Sequence, residues 1–101
     1  MTRLEAEFEE DMHYICREAK KIGYNPRIFA AMIGELGGVA TAKKLVIQHD
    51  PTDGYYTLYK KKRLDLTAEA FVIKDKYKEL FTGEEITQSY NRLKEYNYTF
   101  E

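Results

Sequence analysis

Three tyrosines beside four consecutive cations are the residues of this sequence whose types and spacing best suit recognition of a partner. They are Tyr55, Tyr56, Tyr59, Lys60, Lys61, Lys62 and Arg63. Lysine and arginine neutralise carboxylates or phosphates, while tyrosine rings bury against protein surfaces or stack on bases. The three- and four-residue spacing of Tyr55, Leu58 and Tyr59 also places these side chains on one helical face, which favours core packing.

This stretch supports three hypotheses of function. In the first, the chain is a non-catalytic protein-interaction or regulatory module that modulates or inhibits a larger enzyme. In the second, it is a nucleic-acid-binding domain in which a helical hairpin over residues 27–48, with Lys43 and Lys44, acts together with the cations at 60–63. In the third, exposed tyrosines form the interface of a homodimer.

Residues that could support catalysis or hold a metal ion are few. The chain has two histidines and one cysteine, and it lacks a glycine-rich phosphate loop and the Gly-x-Ser-x-Gly and His-Glu-x-x-His patterns. His13 and Cys16 have no second ligand pair, and the turn-rich segment 49–54 holds His49 and two aspartates of a kind common in turns. We therefore expect no enzyme activity, no metal and no cofactor.

Length and composition predict one domain over residues 1–101. The chain is 44% hydrophobic and 33% charged, with a formal net charge of -1. No apolar run approaches the ~18 residues of a membrane span, no secretion signal precedes the first helix, and the single cysteine excludes an intrachain disulfide. We expect a cytoplasmic protein that does not associate with membranes.

The small net charge is a cancellation between segments. Residues 1–11 carry -4, residues 12–63 carry +6 and residues 64–101 carry -3. Folding either brings these segments together, so that their charges neutralise each other, or leaves the basic middle segment exposed. The second outcome favours a binding function.

Helical periodicity runs through the sequence and predicts an all-α fold, a compact bundle of about five to seven short helices. The first helix covers residues 3–22, and a second begins at Pro26 and ends at Gly37-Gly38. A third helix covers residues 39–48, and the tight glycine turn before it is typical of helical hairpins in general. The predicted inward positions of the first two helices are Leu4, Phe8, Met12, Ile15, Ala19 and Ile22, then Ile28, Phe29, Met32, Ile33 and Leu36.

Capping signals organise the C-terminal third. Asp65 or Thr67 is expected to cap a helix, and Thr82 with Glu85 matches a capping box. The box opens a last helix over residues 83–96, with Ile86, Tyr90 and Leu93 facing inward. The aromatic-rich residues 96–100 are expected to pack as a tail.

Several short patterns occur in order along the chain: Gly23-Tyr24-Asn25-Pro26, Gly37-Gly38-Val39-x-Thr41-Ala42-Lys43, Arg63-Leu64-Asp65-Leu66-Thr67-x-Glu69-Ala70 and Leu80-Phe81-Thr82-x-x-Glu85. With this set the chain resembles a small bacterial all-helical family whose members stand alone or form C-terminal appendages of larger proteins. The resemblance implies the fold and size and transfers no catalytic residue. The run at 60–62 departs from the acidic or glycine-containing segment that the family has there.

Overall fold

Helices account for all the regular structure in the computed structural model, which describes residues 1–100. Two 3-10 helices, Leu64–Leu66 and Asp75–Leu80, connect α4 to α5 and α5 to α6. No strand occurs within residues 1–100, and the Cα radius of gyration is 12.4 Å. The predicted all-α bundle is therefore confirmed. Its six α-helices are α1 (Arg3–Lys21), α2 (Arg27–Leu36), α3 (Gly38–Val46), α4 (Asp53–Lys60), α5 (Ala68–Val72) and α6 (Gly83–Glu95).

Threonine hydroxyls cap the N-termini of four of these helices. Thr2, Thr52, Thr67 and Thr82 each accept a hydrogen bond from the backbone N–H three residues further on, which satisfies a donor that has no partner within the helix. The capping box predicted at Thr82 is present, with the Glu85 side chain bonded back to the Thr82 N–H. Of the two caps considered for α5, the structure uses Thr67.

The long helix α1 supplies the centre of the core. Its predicted stripe is confirmed, since Phe8, Met12, Ile15 and Ala19 are buried, with the ends of the stripe partly buried. The Phe8 ring makes edge contacts with Tyr77 and Phe81, at centroid distances of 4.9 and 5.1 Å. A smaller cluster joins α4, α5 and α6 to the aromatic tail, and its buried members are Tyr55, Leu64, Ala70 and Leu93.

Three predicted inward positions are instead exposed. Ile28 is 81% exposed and Leu36 is 42% exposed, because α2 packs mainly against α1 and α3 and buries only the narrow stripe around Ile33. Tyr90 is 43% exposed and stacks on Phe100 instead. The inward face of α6 is shifted toward Arg92, which the hydrophobic pattern did not include.

The Gly37-Gly38 turn lets α3 pack closely against α1. Gly37 has a φ of 88°, which favours glycine, and a Cβ on Gly38 would lie 2.7 Å from the Cα of Glu9. The Glu9 carboxylate accepts a hydrogen bond of 2.9 Å from the Gly38 N–H. The N-terminus of α3 is thus capped by a side chain of α1.

A buried ion pair ties α6 to α5. The Arg92 guanidinium donates to Glu69 at 2.8 Å, and the two side chains are only 5% and 6% exposed. Arg92 also donates to the backbone carbonyls of Leu45 and Gln48 at the end of α3. Burial raises the pKa of the Glu69 carboxyl, and the hydrogen bond from Arg92 opposes that rise.

Replacing Gly38 with alanine is expected to destabilise the fold by about 1–3 kcal/mol, because the added Cβ must separate α1 from α3. Gly34 is the matched control, since nothing lies within 4 Å of its Cβ position. Gly34→Ala should stabilise α2 by about 0.5–1 kcal/mol. Urea unfolding measures both free energies, and equal effects would contradict the close packing at Gly38.

Replacing Glu69 with leucine leaves a buried guanidinium without its carboxylate and is expected to lower the free energy of unfolding by about 3–5 kcal/mol. The double variant Glu69→Leu/Arg92→Met removes both charges and should lose less than the single variant does. Urea unfolding compares the two. A double variant less stable than Glu69→Leu would show that the pair is not the dominant interaction there.

Candidate interaction surface

The helix α4 has a buried face and an exposed face, and the predicted tyrosines divide between them. Tyr55 is 3% exposed and its hydroxyl donates to the backbone carbonyl of Arg92 at 3.2 Å. Leu58 is buried beside it. Tyr56 and Tyr59 are 37% and 39% exposed. Tyr55 is therefore a core residue, and only Tyr56 and Tyr59 are available to a partner.

A fourth tyrosine, at the end of α6, holds the other three in place. The Tyr96 ring makes edge contacts with Tyr55, Tyr56 and Tyr59, at centroid distances of 5.3, 5.7 and 5.1 Å. Its hydroxyl donates to the Tyr56 hydroxyl at 3.1 Å, and this bond raises the pKa of Tyr96 to about 12. The sequence indicated only that residues 96–100 form an aromatic tail, and it gave no sign that Tyr96 packs on α4.

The three lysines that follow Tyr59 are exposed. Within residues 1–100, no carboxylate lies within 4.0 Å of the ammonium groups of Lys60, Lys61 and Lys62. Arg63 differs, because it donates to both carboxylate oxygens of Asp65, at 3.0 and 3.1 Å. That hydrogen bonding raises the pKa of Arg63. Lys60, Lys61 and Lys62 therefore form a run of three adjacent exposed cations without an ion pair among the described residues.

We call these residues together the aromatic–basic surface: Tyr56, Tyr59, Lys60, Lys61, Lys62 and Tyr96. A shallow groove of about 390 Å³ borders it, between the end of α4 and the tail, and Tyr59, Lys62 and Tyr96 line this groove. The backbone of Lys62 has a φ of 60°, so the chain turns sharply there. The turn places the third lysine at the groove.

The two further cations of the nucleic-acid hypothesis have different surroundings. Lys43 pairs with Glu85 at 2.9 Å and lies over the Phe81 ring, 5.4 Å from its centroid. Lys44 is exposed on the same helix. The N-terminus of α3, where backbone N–H groups could meet a phosphate, is occupied by Glu9. Among the described residues, the hairpin thus offers two exposed cations without an ion pair, Arg27 at the start of α2 and Lys44 on α3.

Other features considered in the sequence can also be placed. Cys16 is buried, and burial raises the pKa of its thiol. His49 and Asp50 are exposed and contact each other at 3.2 Å. No group of three His, Cys, Asp or Glu side chains within residues 1–100 is arranged to hold a metal ion. Over the same residues, no helix is long and apolar enough to cross a membrane.

The fold and this surface define a small helical bundle with an exposed patch of tyrosine and lysine. No protein-family model, curated protein or solved structure matches the chain. The resemblance to a small bacterial helical family therefore stays a prediction.

Replacing Tyr56 with phenylalanine removes the acceptor of the Tyr96 hydroxyl proton, so the pKa of Tyr96 should fall from about 12 toward its ordinary value of 10.0. Tyr90→Phe is the control, because the Tyr90 ring stacks on Phe100 and is not among the rings that contact Tyr96 in residues 1–100. Residue-specific carbon-13 NMR titration measures the pKa. An unchanged value in Tyr56→Phe would contradict the hydroxyl–hydroxyl bond.

The same shift has a consequence for stability at high pH. The Tyr96 contribution is fully present below the unfolded-state pKa, about 10. It is lost as the pH rises from there through the folded-state pKa of about 12.

Proposed function

We propose that this chain is a non-catalytic interaction module, whose aromatic–basic surface binds an acidic face of a larger protein and regulates it. The observation that carries the proposal is a set of three adjacent lysines that have no carboxylate partner within residues 1–100, beside two half-exposed tyrosines. Unpaired cations attract an acidic surface over a distance and speed association. Tyrosine supplies the apolar contact area that dominates binding energy at protein interfaces.

The tyrosine rings are already ordered in the free chain. Tyr56 and Tyr59 both pack on the edge of Tyr96, and a hydroxyl–hydroxyl bond fixes one of these contacts. Ordering a side chain costs free energy when it takes place during binding. Because the rings are already held in place, most of the conformational entropy of ordering them is lost during folding and not during binding. The surface is therefore suited to binding a partner without rearrangement.

The charges favour an acidic protein over nucleic acid as the partner. Of the six cations in the nucleic-acid hypothesis, Lys43 and Arg63 are used inside the chain. The helix N-terminus in the hairpin is filled by a glutamate. The remaining cluster of three lysines is small for a protein that tracks a phosphate backbone, but it matches a patch of carboxylates on a protein surface.

The regulatory role is part of the same proposal and rests on binding to a larger enzyme. A chain of 101 residues that performs no catalytic step can act by binding an enzyme and altering its access to substrate. The expected partner is therefore a larger enzyme, such as one of a bacterial or phage defence system. A cytoplasmic location is part of the same proposal.

The test compares two charge reversals of equal size. Lys60→Glu/Lys61→Glu/Lys62→Glu reverses the surface, and Arg27→Glu/Lys78→Glu/Lys94→Glu reverses three exposed cations elsewhere. The wild-type chain is used to capture its partner from the source organism, with nuclease added to half of the lysate. Calorimetry with the purified partner should then show binding at least about tenfold weaker for the first variant and nearly unchanged for the second.

Other outcomes would overturn the proposal. Equal binding by both variants would exclude the aromatic–basic surface as the contact. Capture that disappears after nuclease treatment, with a mobility shift on single-stranded DNA that weakens steeply with salt, would favour the nucleic-acid function. A homodimer seen by sedimentation velocity, and lost in Tyr59→Ala, would assign the tyrosines to self-association.

A further inference from the structure

A pocket of about 300 Å³ lies on the other side of α4 from the aromatic–basic surface. Its walls come from α2, the inner face of α4, the first 3-10 helix and the start of α5. Ile28, Phe29 and Met32 of α2 face Leu58 and Leu66 across it. This volume is at the lower end of the range for small-molecule sites, which are mostly apolar with a few polar groups.

The polar groups in the pocket are acidic or neutral. Asp53 and Glu69 line it, and no lysine or arginine does. Glu69 is buried and already bonded to Arg92, so its charge is largely compensated within the protein. Asp53, the first residue of α4, is exposed, and no cationic side chain among residues 1–100 lies within 4.0 Å of its carboxylate. The uncompensated charge of the pocket is thus that of the Asp53 carboxylate, at the solvent-exposed rim.

An aromatic residue is held at the same rim by a close backbone approach. A Cβ on Gly54 would lie 2.5 Å from the Tyr24 hydroxyl oxygen, so glycine at this position lets the end of the Tyr24 side chain approach the backbone of α4 closely. Burial raises the pKa of Tyr24, and the nearby Asp53 contributes to the rise. Tyr24, Phe29 and Tyr55 therefore place three aromatic rings around a pocket with an acidic rim.

We propose that this pocket binds a small amine with an apolar, aromatic body. The aromatic part of the ligand fills the space between the apolar walls and makes van der Waals contacts with them. These contacts are the source of binding free energy in such a pocket. The protonated amine stays at the rim beside Asp53, where it remains partly hydrated and avoids the penalty of burying a charge. Aromatic rings near the site add attraction for a cation. Anionic ligands are disfavoured, because the uncompensated charge at the pocket is the Asp53 carboxylate, which would repel them.

The first arm of the test uses three probes that share a phenyl ring and differ in their head group: 2-phenylethylamine, 2-phenylethanol and 3-phenylpropanoate. Proton–nitrogen NMR of the full chain, at millimolar probe concentrations, measures affinity and location. The amine should bind about tenfold more tightly than the carboxylate, with the alcohol between them. Shifts should occur at Met32, Gly54 and Ala68. Equal affinity for all three probes, or shifts elsewhere, would overturn the proposal.

The second arm isolates the rim carboxylate. Asp53→Asn should weaken binding of the amine by about two- to fivefold, the range of an exposed ion pair, and leave binding of the alcohol unchanged. Asp50→Asn is the matched control, because it removes the same charge from the neighbouring loop but does not line the pocket. If both variants weakened amine binding equally, the preference for the amine would come from the overall charge of the region and not from a contact with Asp53. That result would refute the assigned site. Circular dichroism confirms that both variants are folded.

Discussion

Arg92 connects four of the six helices, and the arrangement of the C-terminal half depends on it. Its guanidinium pairs with Glu69 of α5 and donates to two carbonyls at the end of α3. Its own backbone carbonyl accepts from Tyr55 of α4. A buried cation is costly unless its donors are satisfied, so these partners must assemble together. The position of α4, and with it the aromatic–basic surface, follows from this junction.

The features that the sequence predicted well are local ones. The α1 stripe, the Thr82 capping box and the turn at Gly37 each depend on residues within a few positions of one another, where helix geometry fixes the contacts. The interactions that the sequence did not reveal are distant in the chain. Glu9 caps a helix 29 positions away, and Tyr96 bonds to a tyrosine 40 positions away. The hydrophobic periodicity of a helix carries no information about such pairs. It shows which face of the helix is apolar but not which other helix packs against that face.

The aromatic–basic surface shows the same division. Its lysines could be found from composition, since a run of cations is exposed in almost any fold. Its tyrosines could not be sorted, because Tyr55 and Tyr56 are identical in type and adjacent in sequence, but one is buried and the other is 37% exposed. The prediction that Ile28 faces inward was wrong for a related reason. A helix as short as α2 buries one narrow stripe, and the remaining apolar residues stay exposed or line a pocket.

The surface is best understood through its charges. The protein is nearly neutral as a whole, and folding pairs several charges between segments, as with Lys43 and Glu85 or Lys76 and Glu7. The three lysines after Tyr59 are left out of this pairing. Like charges held in sequence repel one another, and at about 0.1 M salt this repulsion extends over roughly 10 Å. Carboxylates brought to this surface by a partner would reduce the repulsion among the lysines and would also attract them. The imbalance between a nearly neutral chain and a locally cationic surface is therefore itself a source of binding free energy.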